Sequence, residues 1–245
     1  MKILQVNNLV KRFEGVVANN NITFSIEENE IVGLIGPNGA GKTTLFNCIA
    51  GYHKPDKGKI FFNGKDITGW PPYQTNVEGI ARTFQVIESG GDMSVKEEIM
   101  VGGFCRTSNR YLAMKEAVEI IEFMKLQDVQ DMKLTELPVA QQKRVGLARA
   151  LATKPQLFML DEVAAGLTPS EIEEMKELIV NIQKKWNLTI FIIEHVMQLV
   201  MGISARVIVL DGGVKIAEGT PDEVAHNEEV IKAYLGERYA KVRKG

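Results

Sequence analysis

The sequence is short of cysteine: Cys48 and Cys105 are the only two in 245 residues, and neither sits in a CxxC or CxxH spacing. That excludes a disulfide framework or a zinc site and points to two reduced thiols in a cytoplasmic protein. Long apolar runs are also missing. A stretch such as LTIFII at 188–193 is far too short to span a bilayer, so any membrane role is expected to be peripheral. The N-terminal MKILQVNNLVKRF carries charges early and has no extended apolar core, so it does not read as a signal peptide. Basic residues do not dominate: 29 Lys and Arg face 31 Asp and Glu, for a net charge of −2, which gives no electrostatic reason to expect a nucleic-acid partner. There is no internal repeat and no low-complexity tail. What remains is 45% hydrophobic and 24% charged, the balance of one large globular domain or a domain with a subdomain.

The first third alternates β-rich runs with turns. ILQVNNLV, ITFSI and EIVGLIG read as strands, and KIFFNGKDI at 59–67 reads as a hairpin through Asn63-Gly64. From about Val86 to Ala152 the regular segments read as helical. In MKEAVEIIEFMKL at 114–126, Val118, Ile121 and Met124 or Lys125 are spaced along one helix face. The last third returns to α/β alternation, with QLFMLDE and LTIFIIEH as buried strands and RVIVLDGGVKIAEG as a hairpin. Thr168-Pro169-Ser170-Glu171 and Thr220-Pro221-Asp222-Glu223 each spell a helix start: cap, proline, then the acid of a capping box. Ile172, Met175, Leu178, Ile179 and Ile182 form the apolar stripe of the first of these helices. A helical insertion therefore interrupts an α/β core.

GPNGAGKTT, running Gly36, Pro37, Asn38, Gly39, Ala40, Gly41, Lys42, Thr43, Thr44, matches G-x-x-x-x-G-K-[ST] between an expected strand and an expected helix. Glycines let successive N–H groups turn inward onto phosphate oxygens, and the helix from Lys42, closed by Gly51, adds its N-terminal dipole. Lys42 offers a charge to β- and γ-phosphates and Thr43 a hydroxyl to Mg²⁺. Asp161 follows four apolar residues, as the acid that holds Mg²⁺ through water. Glu162, one residue on, points elsewhere and can polarise an attacking water. Gln85 at the end of IARTFQ suits a contact to Mg²⁺ or to that water, His195 suits a hydrogen bond to the γ-phosphate, and Phe13 could stack on adenine. Each of these three residues has an ordinary structural reading as well.

The ordered set GPNGAGKTT, FQ, QQKRVGLARAL, LFMLDE and IIEH resembles the nucleotide-binding subunits of ATP-binding cassette (ABC) transporters over nearly the whole chain. The resemblance implies Walker A at Gly36–Thr44, the Q-loop at Gln85, Walker B at Asp161, the general base at Glu162 and the switch histidine at His195. It implies ATP and Mg²⁺ as ligands. The implied fold is an α/β P-loop NTPase with a RecA-like core, an antiparallel β subdomain and a helical subdomain. On this reading 1–85 and 153–245 form the core with the β subdomain, and 86–152 the helical subdomain with the signature. GIARTFQ, DEVAAGLTPSE, VMGISARVIVLDGGVKIAEGTPDEV and VIKAYLGE further resemble the ATPases of branched-chain amino-acid importers. The partners implied are transmembrane permease subunits and a second ABC ATPase. The place implied is the cytoplasmic face of the membrane.

One segment departs from the family. Where the signature is usually LSGGQ, this chain has Leu137-Pro138-Val139-Ala140-Gln141, followed by an intact basic helix pattern. Pro138 has neither hydroxyl nor N–H, and Val139 brings a branched side chain where glycine would let phosphate approach. Losing one charge-assisted hydrogen bond costs about 1.5–3 kcal/mol, or roughly one to two decades in binding or rate. In this family each ATP lies between one subunit's Walker residues and the other's signature. Pro138, Val139, Ala140 and Gln141 therefore act in trans, and the defect falls on the partner's site. This favours a heterodimer with one competent and one weakened site, with a homodimer as the competing arrangement. The competing reading of LPVAQ is a tolerated variant, since Gln141 and the backbone donors of the helix remain. Val163 stands where the family usually has proline, a change expected to alter loop stiffness only; Ala164-Ala165-Gly166-Leu167-Thr168 fits the D-loop.

The function expected is ATP hydrolysis driving solute import, with Ile87–Val101 facing the permease. Two alternatives differ in class: a nucleotide-gated dimerisation module that barely hydrolyses ATP, and a soluble ABC protein of repair or translation. Intact Glu162 and His195 argue against the first. The single compact cassette and the absence of a basic patch argue against the second.

Overall fold

A computed structural model describes residues 1–83 and 91–235. Gln85 and the Ile87–Gly90 part of the expected permease-facing stretch lie outside the described residues. In chain order the elements are β1 (Lys2–Phe13), β2 (Val16–Glu27), β3 (Ile31–Ile35), α1 (Lys42–Ala50), β4 (Lys57–Phe62), β5 (Lys65–Asp66), α2 (Pro72–Glu78), β6 (Ile80–Arg82), α3 (Val95–Gly103), α4 (Arg110–Phe123) and α5 (Val139–Leu151). There follow β7 (Leu157–Asp161), α6 (Pro169–Trp186), β8 (Thr189–Ile193), α7 (Met197–Ile203), β9 (Arg206–Asp211), β10 (Val214–Gly219), α8 (Pro221–Ala225) and α9 (Glu228–Leu235). The chain divides into two compact units, Met1–Pro72 with the described part of Thr189–Gly245, and the described part of Tyr73–Leu188.

The first unit contains an antiparallel sheet in the order β2-β1-β4-β5. The β4–β5 hairpin turns at Asn63-Gly64, with Phe62 opposite Lys65 and both turn residues at positive φ, 49° and 77°. That is the two-residue turn whose twist matches its strands. In the same unit β3 runs parallel to β8 on one side and to β9 on the other, and β10 returns antiparallel to β9. Every residue of IVGLI and of TIFII is buried, which is why these strands show no polar alternation. Behind them Ile35, Val200, Val207, Val209, Val224 and Val230 form one apolar cluster, so α7, α8 and α9 pack on the strand that leads into the glycine-rich loop. Arg206 makes a bidentate contact to Glu30, with Nε–Oε1 3.0 Å and Nη2–Oε2 2.9 Å, and donates to the Ser25 carbonyl. This ties the start of β9 to the β2–β3 connection.

The second unit holds the parallel pair β6–β7, with Ile80 opposite Leu157 and Arg82 opposite Met159, together with α3 to α6. The expected helical run is present among the described residues. Helix α6 starts on Thr168 with the full capping box to Glu171 and buries Ile172, Met175, Ile179 and Ile182, while Leu178 sits at the margin. In α4 the expected stripe needs correction. Val118 is 45% exposed, and the face that packs inward is Ala113, Ala117, Ile120, Ile121 and the C-cap Met124. Two small alanines let α4 lie close to its neighbours, a signal that a search for large apolar residues passes over. Helix α2 and strand β6 were not separated in the sequence, because PPYQTNVEGIAR gives neither period enough length to show. Both cysteines are free; Cys48 is buried, and burial pushes its thiol up to about 12, so it is a core residue and not a nucleophile.

Gly33, mid-strand in β3, has no room for a side chain: a Cβ there would sit 2.5 Å from Val200 Cγ1 and 2.9 Å from Ser204 Oγ. Gly33→Ala should force α7 off the sheet. The expected loss is about 1–3 kcal/mol of stability, read as a lower urea midpoint with an unchanged slope.

Candidate phosphate-binding site

In the first unit β3 delivers Gly36, and α1 starts at Lys42. Between them the backbone turns through glycine-only conformations: φ is 152° at Gly36, 81° at Gly39 and 93° at Gly41. Two of these glycines are also steric requirements. A Cβ on Gly36 would sit 2.1 Å from the Leu210 carbonyl oxygen, and one on Gly41 2.2 Å from that of Ala18. Gly39 has open space where its Cβ would be, so only its conformation demands glycine. Lys42 is 5% exposed, and its ammonium donates to the carbonyls of Gly36, at 2.7 Å, and Pro37, at 3.0 Å. Asn38, Gly39 and Thr43 are exposed at the mouth of the loop, while Ala40 is buried beneath it.

The outer side of the loop is braced by residues that the sequence did not flag for this role. Buried Asn19 of β2 donates from Nδ2 to the Gly41 carbonyl at 3.0 Å. Gly213, in the β9–β10 turn, donates its N–H to the Ala40 carbonyl at 3.2 Å and accepts from Asn20 at 2.8 Å. Tyr234 of α9 has a phenol pushed up to about 12 by burial, offset in part by a hydrogen bond to the Gly36 backbone. The sequence marks Gly213 only as part of a hairpin turn and Tyr234 only as part of the C-terminal run; their bracing role becomes visible only once the sheet is assembled.

His195 lies two residues past the end of β8, exposed, with its backbone N–H 3.2 Å from Glu194 Oε2. Glu194 itself is buried at 2% exposure, an acid the sequence reading passed over. Phe13 closes β1 at the β1–β2 turn, 40% exposed. Its ring meets His53 edge-on at 5.1 Å, with Lys11 Nζ 5.1 Å from its centroid.

In the second unit β7 is buried along its whole length and ends on Asp161. The Asp161 carboxylate is already engaged, since Arg82 Nη2 donates to Oδ2 at 2.6 Å. Glu162 adopts φ 48°, left-handed for a residue with a side chain, so the chain swings away from the strand direction between the two acids. Lys143 of α5 donates to the Glu162 carbonyl at 3.1 Å and holds that turn.

Pro138 is the N-cap of α5, with φ −57° and ψ 152°, and no side chain caps the helix. Its ring fits the cap position, so LPVAQ does not disturb the fold. Val139 is half exposed, and its Cγ1 would stand 3.7 Å from a Cβ on Gly166, placing the first turn of α5 against the 164–168 segment of the same chain. The first-turn N–H groups of α5 therefore take nothing from a capping side chain, and Ala140 and Gln141 sit beside them, part-exposed.

The donor sets suit the ligands that the sequence implied. Glycines that tolerate no Cβ, a buried lysine and an exposed first-turn threonine make a cradle for polyphosphate. Hard carboxylate and hydroxyl oxygens are what a magnesium ion takes.

Residues 19–165 match the ABC transporter family, and residues 214–240 match the branched-chain amino acid ATP-binding cassette transporter family. The chain is 40% identical over 250 residues to the high-affinity branched-chain amino acid transport ATP-binding protein LivG of Escherichia coli, covering 96% of this chain and 98% of that protein. It is 38% identical over 250 residues to the corresponding protein BraF of Pseudomonas aeruginosa, with the same coverage. Among solved structures, a nucleotide-free ATP-binding cassette from an ABC transporter superposes with a TM-score of 0.88 at 31% identity, covering 97% of this chain and 100% of that one. A cassette in its ADP conformation also gives 0.88, at 32% identity and the same coverage.

The two glycine requirements separate by experiment. Gly41→Ala drives a methyl into the Ala18 carbonyl and should weaken a fluorescent ATP analogue by more than about tenfold. Gly39→Ala meets only conformational strain of about 1–2 kcal/mol and should weaken it by less. Equal losses in titrations of the two variants would mean that steric bracing by β2 does not shape the cradle.

Proposed function

This chain belongs to the ABC transporter family as an ATP-binding, ATP-hydrolysing subunit homologous to branched-chain amino-acid importer ATPases, and on that premise we propose how its residues divide the work. The observation that supports the reading most directly is the Gly36–Thr44 loop, glycine-locked, with Lys42 buried beneath it. Backbone N–H groups of the loop and of the first turn of α1 bind β- and γ-phosphate oxygens, and Lys42 exchanges its carbonyl partners for them. Thr43 and Asp161 would hold Mg²⁺, which would supply positive charge to offset that of the phosphates. Glu162 accepts a hydrogen bond from the attacking water and takes its proton. As the new O–P bond forms, the bond from γ-phosphorus to the bridging oxygen breaks and ADP leaves. His195 donates to a γ-phosphate oxygen, Gln85 contacts the metal or the water, and Phe13 stacks on the adenine.

The catalytic core is 1–85 with 153–245, and 86–152 is the helical part carrying the signature. Branched-chain or related amino acids are the solute, by analogy with the named relatives. Permease subunits dock near Ile87–Val101, so the chain works at the cytoplasmic face of the membrane. No helix among the described residues is long and apolar enough to cross a membrane.

A second ATPase subunit completes each site, and a heterodimer is favoured because Pro138, Val139 and Ala140 replace the residues that would touch the partner's γ-phosphate. The uncapped N-terminus of α5 keeps its backbone donors, so the partner's site is weakened and not abolished.

Mg-ATP hydrolysis by the purified chain, measured across protein concentrations beside Glu162→Gln, tests this division. The expected result is nucleotide binding with little Glu162-dependent turnover. A rate that climbs more steeply than protein concentration and vanishes in the variant would instead make the homodimer a working engine. Replacing Pro138, Val139 and Ala140 together by Ser, Gly and Gly should raise turnover of the isolated chain by roughly one to two decades. If that restored chain still shows no Glu162-dependent hydrolysis, the assignment of Glu162 as the base is wrong.

A further inference from the structure

The acid assigned to the metal is not alone at the end of its strand. Arg82, the last residue of β6, donates from Nη2 to Asp161 Oδ2 at 2.6 Å, with only 10% and 7% of the two side chains exposed. The next residue, Thr83, is buried at 5% and clasps the same strand twice. Its N–H donates to the Met159 carbonyl at 2.9 Å, and its hydroxyl accepts the Asp161 N–H at 3.0 Å. Asp161 therefore has its backbone fixed by Thr83 and one carboxylate oxygen fixed by Arg82. Oδ1 accepts from no described residue.

We propose that Arg82 is a positioning residue for Asp161, fixing Oδ2 so that Oδ1 is turned toward the water shell of a divalent cation. The proposal rests on the assignment of Asp161 to Mg²⁺ made above. A guanidinium is permanently charged and planar, and a short charge-assisted contact to it fixes the orientation of a carboxylate. Magnesium keeps most of its waters and is met by one or two carboxylates, so a single oriented oxygen is the contact it needs. Without the arginine, the Asp161 carboxylate would lose the contact that fixes Oδ2 and would be free to rotate, so Oδ1 would no longer be held for the metal. Arg82 and Thr83 also lie directly before Phe84 and Gln85 in the chain.

The test uses the full chain and a fluorescent ATP analogue, titrated once in excess EDTA and once in excess Mg²⁺. The quantity read is the ratio of the two dissociation constants, the metal-dependent gain. Arg82→Met should cut that ratio about tenfold, the loss expected for one charge-assisted hydrogen bond, with affinity in EDTA unchanged. Arg82→Lys keeps the charge without the fork and should fall between the two. An unchanged or increased ratio in folded Arg82→Met overturns the proposal. So does equal weakening in EDTA and Mg²⁺, the mark of a purely structural role. If Arg82→Met shows no cooperative thermal transition, Arg82→Lys decides: a ratio at the parental level overturns the proposal and a reduced one supports it. Asp161→Asn separates this from the underlying assignment. If Asp161→Asn keeps the full metal-dependent gain, Asp161 is not the metal's acid, whatever Arg82 does.

Discussion

A peptide unit points its N–H and its C=O in opposite directions, and the first unit is organised around that fact. Turning successive N–H groups inward toward phosphate sends carbonyls outward, where each needs a donor or water. Here several of the loop's carbonyls have backbone or side-chain donors. Pro37 is met by the Ala40 N–H, Ala40 by Gly213, and Gly41 by Asn19 and by the Leu45 N–H of α1, while Gly36 and Pro37 also hold the Lys42 ammonium until phosphate takes it over. A net hydrogen bond is worth only about 0.5–1.5 kcal/mol, but leaving a buried acceptor unmade costs about 1–3 kcal/mol. The braces matter chiefly because their absence would be expensive. They also explain why β2, β3 and the β9–β10 turn must all be in place before the loop can hold its shape.

The second unit solves a different problem, that of fixing the position of acids at the end of a buried strand. Asp161 stays in the strand and takes a buried guanidinium. Glu162 leaves it through a left-handed backbone conformation pinned by Lys143. Two adjacent carboxylates are thus separated by backbone geometry, which suits two different tasks better than a shared environment would. The same economy appears at Glu98, buried at 1% and paired with Arg149 Nη1 at 2.9 Å.

What was legible in the sequence was local. The glycine-rich loop, the Asn63-Gly64 turn and the Thr-Pro-x-Glu helix starts are each written in a few consecutive residues, and each formed as read. The parts that escaped notice depend on partners far along the chain: Asn19 and Gly41 are 22 positions apart, Arg82 and Asp161 79. No window-based reading brings such pairs together. The misplaced Val118 has a related cause, because apolar character alone does not say which face of α4 meets its neighbours. The β-branched and aromatic strands β3 and β8 were legible for the opposite reason, since burial on both faces leaves a run with almost no polar residues.

The β9–β10 hairpin has the outward marks of a surface turn, two glycines at φ 51° and 82° between short antiparallel strands. Turns of that kind ordinarily absorb insertions and carry tags or inserted domains with little consequence. This one does not have that freedom. Gly213 is wedged so closely against β2 that a Cβ would lie 2.8 Å from the Ala18 carbonyl, and both its backbone polar groups are committed, one to β2 and one to the glycine-rich loop. The length of the turn is therefore fixed by a loop more than 150 residues earlier in the chain. A hairpin that looks permissive in isolation is one of the places where this chain has least room to be lengthened.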